Sequence, residues 1–298
     1  MFGVVIVLIG VIALIFIMLW VIPGDPATVL LNDHVSQANI DRLTQSMGLD
    51  KSLPEQFFGY MKGILTGDFG SSYFMQQPVL SLILENFPYT LRLTLLAIAF
   101  SWTLGIASGV ISAVCHEHFL DYLFRGTAVL GISVPVFMVA LFLQYLFYYR
   151  FSLLPLTYDG SFVSLILPAV ALGWNSAGSV ARLMRSELME QLDAPYIDTA
   201  KAKGLTYKKA VLAHALRNAA PSVITLMALQ LSGMLSGAVI TESVFSIPGL
   251  GQLALTAVQT RDMPLLQGTV IFTALLIAVG NILADMINTM LDPRLRTE

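Results

Sequence analysis

The chain has 298 residues, 56% of them hydrophobic and 12% charged, with a mean hydropathy of +0.76; a soluble domain carries far more surface charge, so this composition belongs in a bilayer. The net charge of -3, with basic residues gathered in one segment, excludes a continuous nucleic-acid-tracking face. A single cysteine, Cys115, excludes an internal disulfide and leaves packing to hold the fold.

Residues 1–22 are uninterruptedly apolar, and about 20 helical residues cross the roughly 30 Å hydrocarbon layer. They read as a retained span, because a basic n-region and a small-residue cleavage site are absent. In the segment 23–88, residues 39–47 end at Gly48, and residues 54–65 start at Pro54 and stop before Gly67. Those are helix start and stop signals, so this segment is expected to fold as a small extracytoplasmic helical cap. Further spans are read at 89–114, 122–148, 163–181, 219–241 and 265–291, making six with the first. Gly105 and Gly109, and Gly233 and Gly237, each stand four apart, a spacing that lets bilayer helices pack backbone to backbone. The segment 182–218 carries Arg182, Arg185, Lys201, Lys203, Lys208, Lys209 and Arg217, whereas 23–88 offers only Arg42, Lys51 and Lys62. The positive-inside bias therefore puts the segment 182–218 and both termini in the cytoplasm. The expected organisation is a first helix at 1–22, a cap segment at 23–88, and a core domain at 89–298 containing the polar segment 182–218.

Within that polar segment, Tyr196 to Lys203 suits a short helix ended by Gly204. Its small residues Ala200 and Ala202 allow a partner's close approach, and Asp198, Lys201 and Lys203 supply orienting charge. A docking helix is one reading, and a solvated polar loop is the other. After the fifth span, Pro248-Gly249 and Gly251 give turn chemistry before a helix over 252–260. Glu242, near the end of that span, and Asp285, within the sixth, are candidate functional carboxylates that could equally pair with a neighbouring helix or reach water. Cys115-His116-Glu117-His118 invites a metal reading. Adjacent residues do not readily converge on one ion, so no metal ligands are assigned. The 13 methionines are read as flexible packing.

Asp198-Thr199-Ala200, then Gly204, a helix to Leu216 and Pro221, resembles the coupling loop of bacterial ABC-importer permeases, in which a Glu-Ala-Ala triplet precedes a Gly. Asp198 and Thr199 depart from the first two positions of that triplet. The resemblance is to the dipeptide, oligopeptide and nickel branch, and it extends over most of the chain. It rests on Pro23-Gly24-Asp25-Pro26, Met47-Gly48-Leu49-Asp50, Gly67-Asp68-Phe69-Gly70, and Ala200-Lys201-Ala202-Lys203-Gly204-Leu205. It continues through His214-Ala215-Leu216-Arg217-Asn218-Ala219, Glu242-Ser243-Val244-Phe245-Ser246-Ile247-Pro248-Gly249-Leu250-Gly251, Arg261-Asp262-Met263-Pro264 and Asp292-Pro293-Arg294.

The resemblance implies an all-α integral membrane protein with the type I, MetI-like permease fold, working in the inner membrane of a bacterium. It implies a heterodimer with a second, similar permease, two ATPase subunits and an extracytoplasmic substrate-binding protein. Tyr196, Asp198, Thr199, Ala200, Lys201, Ala202, Lys203, Gly204 and Leu205 would form the ATPase-coupling loop. Glu242, Phe245, Pro248, Gly249 and Gly251 would form the outer gate or the binding-protein contact. The chain contains no Gly-Lys dipeptide, so it has no P-loop, and ATP and Mg are expected on the partner ATPases. No catalytic residue and no cofactor of its own are assigned. The cargo implied is a peptide or, in its place, a nickel or other metal-chelate complex. A gradient-driven secondary transporter would instead call for inverted repeats and midmembrane carboxylates. A membrane-embedded hydrolase would need a His pair at metal spacing in a helix or a Gly-x-Ser-x-Gly elbow, and the sequence offers neither.

Overall fold

The structure is a computed structural model that describes residues 52–235 and 238–291, together with Gly10 and Ala13. The expected first span at 1–22, the helix at 39–47, the Pro23-Gly24-Asp25-Pro26, Met47-Gly48-Leu49-Asp50 and Asp292-Pro293-Arg294 motifs, and Gly237 lie outside the described residues.

Among the described residues every regular element is helical. In chain order these are α1 (Leu53–Thr66), α2 (Val79–Val114), α3 (Phe119–Ser133) and α4 (Val136–Leu143), the last prolonged by a π-helical stretch over Gln144–Arg150. A 3-10 turn (Val163–Leu165) leads into α5 (Ile166–Leu192), followed by α6 (Pro195–Ala202). Then α7 (Tyr207–Ala210) passes through a π-helical stretch (Val211–Ala215) into α8 (Leu216–Leu235). The order ends with α9 (Val239–Val244), α10 (Leu250–Gln259) and α11 (Met263–Leu291). Val79–Val114, Val163–Leu192 and Met263–Ile287 are long and apolar enough to cross a bilayer.

Three expected spans differ in form, and the one expected over 219–241 is α8, Leu216–Leu235, which is not among the described helices long and apolar enough to cross by themselves. The span expected from residue 89 begins at Val79, with Pro88 inside the helix; proline forfeits one hydrogen bond, a loss bilayer helices tolerate when neighbours re-satisfy the carbonyl. The single span expected over 122–148 is instead two arms, Phe119–Ser133 and Val136–Arg150, bent by 111°. The cause is Pro135. Its ring disfavours helical geometry at the preceding residue, and Val134 is extended (φ -87°, ψ 125°).

The chain divides into two compact units, residues 1–90 with 248–278 and residues 91–247 with 279–298, and α2 and α11 each contribute to both. In the first unit, α1 opens at Ser52, whose N–H and Oγ donate to the Glu55 carboxylate at 3.1 and 2.8 Å. It closes at Gly67 in the left-handed conformation, φ +79°. Phe69 then enters a core with Val79, Leu82, Ile83, Leu250, Leu253 and Leu265. Two sequence motifs meet here. The buried Asp262 accepts hydrogen bonds from Ser72 Oγ at 2.5 Å, Phe74 N at 2.9 Å and Leu265 N at 3.2 Å. Burial, with the Asp262 charge alongside, pushes the Tyr73 phenol up to about 12.

In the second unit α5 is central, packed on α3, α4 and α8. Its approach to α2 is closer than any side chain allows. A Cβ on Gly105 would lie 2.7 Å from Val180 Cβ, and one on Gly109 would lie 2.6 Å from the Ala181 carbonyl oxygen. That is the small-residue packing expected of this pair. Gly233 of the other pair faces open space.

Candidate coupling surface

Helix α6 is short because its ends are specified. Pro195 stands at its first turn, where a missing N–H costs nothing. At its other end Gly204, at φ +91°, donates its N–H to Lys201 O (2.9 Å), while Leu205 N reaches back to Ala200 O (3.2 Å). This pair of bonds with a left-handed glycine is a Schellman closure. The positive φ explains why glycine stands there.

What seats α6 is Ile197, 0% exposed, in a core with Val180, Met184, Leu188, Ala210, Val211 and Ala215. Tyr196, half-buried, donates its hydroxyl hydrogen to Gln191 Oε1 at 2.8 Å and so ties α6 to the end of α5. With Ile197 turned inward, Pro195, Asp198, Thr199 and Ala202 form one exposed face at helical spacing. Lys201, Lys203 and Gly204 are also exposed, whereas Ala200 and Leu205 are half-buried. Asp198 pairs with Lys201 at 3.3 Å, and the Lys201 ammonium lies 5.7 Å from the centre of the Tyr207 ring. Only Leu205 and Thr206 separate Gly204 from the helical run that begins at Tyr207. The surface from Pro195 to Ala210 carries four lysines against one aspartate.

A buried ion pair joins α3 to α5, the helix on which α6 is seated. Asp121, 1% exposed, on α3, accepts Arg185 Nε at 2.8 Å and Arg185 Nη2 at 2.9 Å from α5. Ser112 Oγ at 2.6 Å from α2 and Glu117 N at 3.2 Å from the following turn complete its shell. The sequence reading included Arg185 in the basic segment but missed Asp121. Partners 64 positions apart leave no local pattern to find.

The remaining predicted residues fall into two sets. In the second unit Glu242 is 0% exposed and Phe245 is buried. Ile247 N donates to Glu242 O at 2.8 Å, Tyr158 N donates to Phe245 O at 2.8 Å, and Gln144 Nε2 donates to the Val244 carbonyl at 3.2 Å. In the first unit Pro248 is exposed, while Gly249 and Gly251 are buried at the start of α10, where Leu250 N donates to Thr90 Oγ1 at 2.8 Å. Asp285 is exposed on α11. Near Cys115, Glu117 has φ +59° and His118 Nδ1 lies 2.8 Å from His116 O. Among the described residues no three His, Cys, Asp or Glu side chains are grouped to hold a metal ion.

Comparison with known proteins decides what these helices belong to. The family profile for the binding-protein-dependent transport system inner membrane component matches residues 105–297, and its N-terminal companion matches residues 1–94. The chain belongs to this family. It is a permease subunit of an ABC importer and a multi-pass inner-membrane protein. A putative peptide transport system permease of Brucella abortus is 35% identical over 289 residues, covering 94% of this permease and 92% of that protein. The glutathione transport system permease GsiC of Pectobacterium atrosepticum is 35% identical over 294 residues, covering 99% and 96%. The probable D,D-dipeptide transport system permease DdpB of Escherichia coli is 35% identical over 322 residues, covering 98% and 95%. Among solved structures, a chain of the MetNI methionine ABC transporter in an inward-facing conformation matches with a TM-score of 0.58 at 16% identity, covering 72% of this permease and 97% of that chain. The described helices therefore have the MetI-like permease fold.

Proposed function

We propose that this permease carries di- or oligopeptides across the inner membrane, as half of a heterodimeric pore driven by two ATPase subunits and supplied by an extracytoplasmic binding protein. The observation that carries the reading is similarity over almost the whole chain to relatives named for peptide, glutathione and D,D-dipeptide transport. ATP and Mg reside on the ATPases, and this chain contributes no catalytic group.

In this reading the membrane region has six spans, with 23–88 forming the extracytoplasmic cap, 89–298 forming the core domain, and both termini cytoplasmic. The nine residues Tyr196, Asp198, Thr199, Ala200, Lys201, Ala202, Lys203, Gly204 and Leu205 make the coupling loop. The face of Pro195, Asp198, Thr199 and Ala202 enters a groove of the ATPase, while Ile197 passes the resulting displacement into the helical core. A swing from 1:99 to 99:1 between inward- and outward-open states needs about 5.5 kcal/mol of differential nucleotide affinity, delivered through this contact. Glu242, Phe245, Pro248, Gly249 and Gly251 belong to the outer gate or binding-protein contact. The exposed Pro248 is the residue placed to meet the partner.

The test is transport by the reconstituted assembly. Ala202→Trp places bulk on the exposed face without disturbing a packed residue, unlike Gly204→Trp, which would also strain a left-handed backbone position. ATP-driven dipeptide uptake by Ala202→Trp is expected to fall at least about tenfold, which corresponds to about 1.4 kcal/mol of lost coupling, with the thermal midpoint unchanged. Undiminished uptake overturns the coupling assignment. Accumulation of a nickel chelate in place of peptide overturns the cargo, and gradient-driven uptake without any ATPase subunit overturns the whole reading.

A further inference from the structure

Two adjoining cavities in the second unit differ in their polar groups. The larger, about 770 Å³, lies between α2, α3, α5 and α8 and is lined by Arg125, Arg182, Arg185 and four serines. The smaller, about 320 Å³, is walled by Phe100, Leu104, Ile111 and Trp174 and is almost entirely apolar. They share Ser108, Phe124, Ala128 and Ala181 as a common border.

The hydrogen-bond inventory indicates what the larger cavity offers. Ser108, Ser112 and Ser179 donate their hydroxyl protons to Leu104 O, Asp121 and Asn175 O. Arg185 is held by Asp121. Arg125 and Arg182 make no ion pair among the described residues, although the Arg125 guanidinium lies 5.9 Å from the centre of the Tyr122 ring. Two exposed guanidinium groups, with no ion pair among the described residues, thus stand at the wall of the cavity, while Arg185 is taken up by Asp121. Such a site favours an anion with several acceptor oxygens. Its continuation into an apolar slot, in a protein that lives in a bilayer, favours an anion attached to an acyl chain.

We propose that these joined cavities bind an anionic phospholipid, with the phosphodiester at Arg125 and Arg182 and an acyl chain against Trp174 and Leu104. Basic pockets between bilayer helices recognise lipid headgroups by this combination of charge and apolar contact. The site lies between the helix packing at Gly109 and the Asp121–Arg185 ion pair, so its occupant supports the helices that carry the coupling surface. The proposal does not depend on the cargo.

The test uses the full chain with Trp20 and Trp102 replaced by phenylalanine, leaving Trp174 as the sole tryptophan. It is placed in nanodiscs with a small fraction of lipid brominated on the acyl chains. Brominated phosphatidylglycerol is expected to quench Trp174 at about one-tenth the mole fraction that brominated phosphatidylcholine requires. R125Q/R182Q is expected to abolish that difference with the thermal midpoint retained. Native mass spectrometry of the delipidated assembled transporter provides a second reading, with phosphatidylglycerol retained over phosphatidylcholine in the parent. Equal quenching by both lipids overturns the proposal. Relief of the phosphatidylglycerol effect by millimolar inorganic phosphate overturns it in favour of a free anion. Absence of retained lipid, with cross-links from Ile111 or Leu104 to the second permease, overturns it in favour of a protein-covered face.

Discussion

The Asp121 carboxylate collects four hydrogen bonds, from α2, from the turn after it and from α5. Removing one partner of such a buried pair costs more than the pair contributes, because the other charge stays behind unpaired. Asp121→Ala is therefore expected to destabilise the protein by about 3 kcal/mol, whereas Asp121→Leu combined with Arg185→Met recovers most of the loss. Thermal unfolding in detergent checks this, and an unchanged midpoint for Asp121→Ala would contradict it. Gly204 is a different case, since a Cβ there meets nothing within 4 Å and the cost lies wholly in the backbone. Gly204→Ala should cost about 1 kcal/mol, and Gly204→Asn less, read as faster proteolysis after α6 in the alanine variant. Sequence alone exposed Gly204, because a glycine closing a short helix leaves a local signature. It did not expose Asp121 or Ile197. Their importance comes from tertiary neighbours, which helical spacing does not encode.

At the level of elements, the α2–α5 contact is made by glycine against backbone. Gly109→Leu would drive its side chain into Ala181 O and Met184 Cβ, which lie 2.6 and 2.7 Å from where even a Cβ would sit. The expected cost is about 3 kcal/mol from overpacking. It would be seen as lost monodispersity and a lower thermal midpoint, and a well-behaved Gly109→Leu protein would refute the packing account. The same substitution at Gly233, which faces open space, should be nearly silent in this chain. Both glycine pairs look alike in sequence, so spacing revealed the capacity for close packing without saying that Gly105 and Gly109 use it against α5. The short helices were legible, α1 at both ends from Pro54 and Gly67, and α6 at its end from Gly204, although the start signal at Pro195 went unread. The 111° bend between α3 and α4 was not. Hydropathy runs unbroken across it, and Pro135 is the only local mark.

For the molecule as a whole, composition was enough to assign it to a bilayer, and the order of motifs was enough to suggest its relatives. Orientation rests on the lysines and arginines of 182–218. A Lys203→Cys protein in a Cys115→Ser background should react with a membrane-impermeant maleimide in inverted vesicles and stay unlabelled in intact spheroplasts. Labelling from the outside would reverse the topology and remove α6 from reach of any ATPase. The sequence reads a helix to Leu216 and a span from 219, and the structure joins the two, because the helical run does not pause after α7. From Tyr207 through the π-helical stretch to Leu235 every residue is helical, Pro221 included, a path of roughly 43 Å at helical rise. A helix gripped at one end acts as a lever over whatever length stays straight: tilting about 43 Å by about 5° would sweep the far end through about 4 Å, and the π-helical stretch and Pro221 are where such a lever would give.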